Sequence, residues 1–145
     1  MTTRTARTAW NGGLQDGSGQ VELSSSKVGT FDVDFPKRAS DDPQGLTSPE
    51  ELIAAAHSAC FAMSLSNEIA QVGGTPHGIE VTAEVDLGPD KDKGGFTLTA
   101  IRLSAWVEVD GLDDDGFARA VAAAEAGCPV SKSLSVPITV DASRG

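Results

Sequence analysis

The chain carries two cysteines, Cys60 in "AAAHSACFAMSLS" and Cys128 in "EAGCPVSKSL". Two thiols support redox exchange, metal ligation or covalent catalysis only if the fold brings them together, so their local settings come first. Cys128 follows Gly127 and precedes Pro129, a residue suited to the first turn of a helix. At a helix start, free backbone N–H groups and the dipole favour a thiolate. Lys132 lies one turn further on. Cys60 stands in mid-helix, where burial alone raises a thiol pKa and makes the group inert. A reactive Cys60 therefore needs a cation from elsewhere. His57, three residues earlier and on the same helix side, is one source, although a lone histidine on a packed helix is more often a hydrogen-bonded structural residue. Arg38 and Lys37, in the loop after the third expected strand, are the others. Arginine is the better choice, because its guanidinium keeps its charge under burial and can hold a carboxylate and a sulfur together.

Competing chemistries find less support. Taken singly, each cysteine also reads as a small buried hydrophobe. A zinc site is weak, since the chain has only two Cys and two His, with neither the two Cys nor the two His closely spaced. A hydrolase built on Cys60 with His57 or His77 lacks the nucleophile elbow, and no glycine fingerprint marks a dinucleotide site. The formal net charge of −10 argues against nucleic acid and anionic membranes. The acidic stretches "DLGPDKDKGG" and "VDGLDDDG" read as solvated turns, without the glycine and terminal glutamate of a calcium loop. The N-terminal residues show no signal peptide or anchor, and no run of about eighteen apolar residues occurs. The expected compartment is the cytoplasm, where paired cysteines are more often redox-active or metal-bound than structural.

The elements that must position these groups follow from pattern and punctuation. Residues 1–46 read as three short strands and a loop, with Phe31, Val33 and Phe35 expected on one strand face and "PKRASDDPQGL" as the loop. A long helix starts at "TSPEEL", capped by Ser48 or Thr47, and stops at Gly73-Gly74. It is apolar around most of its circumference, which marks a buried helix and asks for a partner subunit. "GIEVTAEVDL" and "FTLTAIRLSAWVEV" alternate as a long hairpin. A second helix runs from about Asp113 to Ala126, "CPVSKSL" restarts a short one, and "PITVDA" closes as a strand. The order βββ-α-ββ-α-β predicts an α+β fold, with helices on antiparallel sheet. A chain of 145 residues without repeats or linkers is expected to form one domain, 1–145.

"TSPEELIAAAHSACFAMSLS" closely resembles the first-cysteine helix of the OsmC/Ohr peroxide-reductase family, and "CPVSKSL" resembles its second-cysteine motif. The likeness extends over nearly the whole chain, and the His-Ser-Ala-Cys segment is more similar to the osmotically inducible protein C branch. The resemblance implies an OsmC-like fold in an intertwined homodimer, with thiol-dependent reduction of hydroperoxides and no cofactor. It implies Cys60 as the peroxidatic cysteine, Cys128 as the resolving one, Glu50 as the family glutamate and Arg38 as its arginine. The reductant would be a lipoyl protein, thioredoxin or a low-molecular-weight thiol. Glu50 and Cys60 are ten residues apart on one helix, a rise of about 15 Å, so either Glu50 serves the site of the other subunit, the preferred expectation, or a bend brings its turn back. The alternative is a non-enzymatic relative that binds hydrophobic molecules between subunits or senses redox state.

Overall fold

The computed structural model describes residues 1–145, which divide into two compact units, Met1–Leu52 and Ile53–Gly145. The N-terminal unit is an antiparallel meander of β1 (Arg7–Asn11), β2 (Ser18–Glu22) and β3 (Thr30–Val33), in that order. The stretch expected as a loop instead opens with a one-turn helix, α1 (Phe35–Arg38). Asp34 causes it: its carboxylate accepts the Lys37 N–H at 2.7 Å, and Pro36 suits a first turn. The strand consequently ends at Val33, and Phe35 does not join Phe31 on a strand face as the alternation suggested.

Helix α2 spans Pro49–Gln71. The Ser48 hydroxyl accepts the Glu51 N–H at 3.1 Å, and Gly73 stops the helix in the left-handed region at φ +89. In the C-terminal unit its buried stripe is His57, Phe61, Leu65 and Ile69, four residues apart each time. Ala55, Ala56, Ala59 and Met63 stay exposed. The helix is thus apolar all round by sequence but buried on one side by its own chain.

That stripe packs on a three-stranded sheet of order β4-β5-β6, formed by β4 (Thr75–Pro89), β5 (Phe96–Asp110) and β6 (Ile138–Arg144). The alternation of β5 decides the packing. Ile101, Leu103, Ala105, Val107 and Val109 point into the core, while Arg102, Ser104, Trp106 and Glu108 are exposed on the other face. Each fully buried aliphatic or aromatic side chain contributes about 1.5–3 kcal/mol. Helix α3 (Asp114–Gly127) closes the core with Phe117, Ala120 and Ala124, and its start is fixed by Asp113, whose carboxylate accepts the Gly116 N–H at 2.7 Å. β4 and β5 form the expected hairpin, but β6 joins β5 in parallel, so this sheet is mixed. The reason is topological: α3 and α4 (Pro129–Ser133) carry the chain back before β6 begins, and such a crossover is what parallel pairing requires.

Candidate active site

The middle of α2 and the start of α4 meet along two rungs. On one, Cys60 Sγ and Cys128 Sγ lie 3.4 Å apart, both as free thiols. On the other, His57 Nε2 and Ser131 Oγ lie 2.7 Å apart. Each helix contributes an i, i+3 pair, His57 with Cys60 and Cys128 with Ser131, so neighbours on one face of each helix face neighbours on the other. Cys128 and His57 are fully buried, and Cys60 is partly exposed.

The two thiols differ electrostatically. Burial pushes the Cys60 thiol up, the backbone N–H of Val130 works against this, and the neighbouring Cys128 raises it further. Burial also opposes ionisation of Cys128. There, however, the Ser131 hydroxyl, the backbone N–H groups of Ser131 and Val130 and the Cys60 thiol together outweigh it, and its pKa falls below the usual thiol range. That agrees with the helix-start setting of Cys128 and with the need of Cys60 for an outside cation. Burial likewise holds His57 below the ordinary histidine value, and its Nδ1 has no hydrogen-bond partner.

Arg38 and Glu50 form a forked pair in the N-terminal unit. Arg38 Nε donates to both carboxylate oxygens at 3.2 and 3.1 Å, and Nη2 donates to Oε1 at 2.7 Å. The carboxylate is nearly buried and the guanidinium about one-third exposed, at 10% and 32% of side-chain area. Such fork-to-carboxylate geometry fixes the arginine plane. The same unit holds an apolar cavity of about 400 Å³, walled by Trp10, Leu14, Val21, Phe35 and Leu52, with Arg38 on its lining.

The four sequence-predicted residues thus fall into two pairs, Cys60 with Cys128 and Arg38 with Glu50. Sequence reasoning missed Ser131 and treated His57 mainly as structural. The signal was present: Cys-Pro-Val-Ser repeats the three-residue spacing of His-Ser-Ala-Cys in reverse order. No three His, Cys, Asp or Glu side chains gather where a metal ion would sit, and no helix is long and apolar enough to cross a membrane.

Comparison with known proteins places these motifs in context. A family model described as OsmC-like protein matches residues 41–143, a span that contains Glu50 and both cysteines. The chain is 41% identical over 132 residues to the peroxiredoxin OsmC of Escherichia coli, covering 91% of this chain and 90% of that one. Among solved structures it is similar to an organic hydroperoxide resistance protein OsmC from Legionella pneumophila, with TM-score 0.74, 27% identity, and 100% and 98% of the two chains covered. The organic hydroperoxide resistance protein OhrB of Bacillus subtilis superposes with TM-score 0.71, 28% identity, and 96% and 98% covered. With its sequence matching through both thiol-bearing helices and its α+β backbone matching along nearly the full length, the chain belongs to the OsmC-like protein family.

Proposed function

We propose that this chain is a two-cysteine, thiol-dependent peroxidase that reduces organic hydroperoxides. The observation that carries the reading is the 3.4 Å approach of Cys60 to Cys128. The thiolate of Cys60 attacks the terminal oxygen of the hydroperoxide and the O–O bond breaks. The alcohol departs after taking a proton, and Cys60 is left as a sulfenic acid. Cys128 then attacks that sulfur, the S–O bond breaks, water leaves, and a disulfide closes. Bonded sulfurs sit about 2.05 Å apart, so side-chain adjustment suffices. The reductant that reopens the disulfide is a lipoyl protein, thioredoxin or a small thiol.

Cys60 is held protonated by burial, so the mechanism needs a positive charge at the sulfur. Arg38, held by Glu50, is assigned that role from its own chain or from a second copy, together with stabilising charge on the departing oxygen. The apolar cavity lined by Arg38 favours peroxides with an organic tail over hydrogen peroxide. A cytoplasmic homodimer accounts for Trp10, Leu14, Phe31 and Met63, which the single chain leaves exposed, and in it residues 1–145 act as one OsmC-like domain. The same cavity also suits a non-enzymatic protein that binds hydrophobic ligands.

One experiment separates the two readings. The reduced protein is mixed with cumene or t-butyl hydroperoxide while peroxide and free thiols are followed. A peroxidase consumes one peroxide per chain and loses both thiols; retention of both thiols with peroxide unspent overturns the proposal and leaves the ligand-binding reading. Glu50→Ala chains mixed with Cys60→Ser chains regain activity if the site is shared between subunits, and confirmed heterodimers without recovery refute sharing.

A further inference from the structure

His57, on the second rung between α2 and α4, has no part in the chemistry described so far. His57 is fully buried, makes its one side-chain hydrogen bond to Ser131 Oγ at 2.7 Å, and leaves Nδ1 unpartnered. A histidine kept purely for packing would bury both ring nitrogens against partners, since an unmet buried polar atom is costly. Ser131 stands one turn after Cys128 on the same helix side, and its hydroxyl, hydrogen-bonded to the imidazole, is also a group that lowers the Cys128 pKa. A hydroxyl donates one hydrogen and accepts others, so it links the two groups in either direction. The titratable groups facing the ring are the two thiols, Cys128 through Ser131 and Cys60 one turn along α2. No carboxylate or cation pairs with it.

We propose that His57, acting through the Ser131 hydroxyl, is the proton acceptor and positioning residue for Cys128 in the disulfide-forming step. The inference rests on the peroxidase reading above. As Cys128 attacks, its S–H proton passes to Ser131 Oγ while the Ser131 proton passes to His57 Nε2. The Cys128 electron pair forms the S–S bond and the S–O bond of the Cys60 sulfenic acid breaks. The hydroxide released combines through solvent with the proton held on His57, giving one water. Cys128 sulfur is oxidised, Cys60 sulfur is reduced from the sulfenic level, and the sum is thiol plus sulfenic acid to disulfide plus water. Burial keeps the imidazole neutral and able to accept at neutral pH.

The test times the two steps separately by rapid mixing with t-butyl hydroperoxide, reading sulfenic acid by trapping and the disulfide by loss of the second thiol. His57→Gln places an amide nitrogen near the position of Nε2 but cannot take up a proton. It slows disulfide formation about 10²-fold and removes the fall of that rate on acidification. Ser131→Ala gives the same loss, and Ser131→Thr, which keeps the hydroxyl, restores the rate. Disulfide formation at the wild-type rate in His57→Gln and Ser131→Ala overturns the relay. If His57→Gln does not fold, the Ser131→Ala and Ser131→Thr pair decides alone, because Ser131 is only partly buried in a five-residue helix. Failure of wild-type protein to form any sulfenic acid strikes the peroxidase reading instead, so the two failures are distinct.

Discussion

The two units of this chain are built on opposite principles. Every buried apolar side chain lies in Ile53–Gly145: α2 supplies Phe61, Leu65 and Ile69, β5 five residues, α3 three, and Cys128 closes the set. Met1–Leu52 buries no large apolar side chain and exposes Trp10, Leu14 and Phe31. What it does bury is a charge, the Glu50 carboxylate, matched by the Arg38 fork. A buried carboxylate left without its partner is strongly unfavourable, so the pair fixes geometry where a core is lacking. The lesson is a division of labour: the apolar unit holds two free thiols at close approach, and the thin unit holds a rigid cation.

The largest effect expected is at the thiols. Cys60→Ser abolishes peroxide turnover, a loss on the order of 10⁴-fold or more, whereas Cys128→Ser still reacts once and then accumulates sulfinic acid, read by mass spectrometry. Equal and small losses for both would remove the distinction between the two cysteines. Next, Arg38→Met lowers the rate of Cys60 oxidation about 10²–10³-fold while the later closure of the disulfide by Cys128, timed by loss of the second thiol, is unaffected, since the acidity of Cys128 comes from Ser131, Val130 and Cys60 within the other unit. Equal slowing of both reactions would break the comparison.

The same residue type tests the two architectures. Leu65→Ala costs about 2–5 kcal/mol in urea unfolding, because Leu65 is wholly buried. Leu14→Ala, at 59% exposure, changes the stability of the chain by no more than about 0.5 kcal/mol and appears instead as weaker self-association in sedimentation equilibrium. The smallest effect concerns pH. His57 has its pKa lowered by burial, so below the ordinary histidine value the unfolded chain binds a proton that the folded chain resists. Stability from this group is complete above about pH 6.5 and is lost as pH falls. The melting temperature should drop by a few degrees between pH 7 and 5, and His57→Gln should flatten that slope.

Much of the fold was legible in the residues. The Ser48, Pro49 and Gly73 punctuation bounded α2, Asp113 began α3, and the period-two runs of β4 and β5 announced their hairpin. The short α1 was not foreseen, because a one-turn helix made by Asp34 leaves no periodic signal. The parallel entry of β6 was hidden for a different reason, since strand direction is set by the path of the crossover and not by the strand's own residues. At the site, the unequal acidity of the cysteines could be read from helix position, while Ser131 looked like an ordinary polar residue.

By itself the sequence determined which segments become helix or strand, which face of β5 is apolar, and that Cys60, in mid-helix, would have no acidifying help from its own backbone. These depend on neighbours a few positions apart, where backbone sterics, caps and side-chain period act. Only the tertiary structure decided that position 60 meets 128 and position 57 meets 131, and that the Arg38 fork closes on Glu50. Those meetings join residues up to 74 positions apart, and they are set by how the apolar stripe of α2 seats on the sheet and how a buried carboxylate finds its cation.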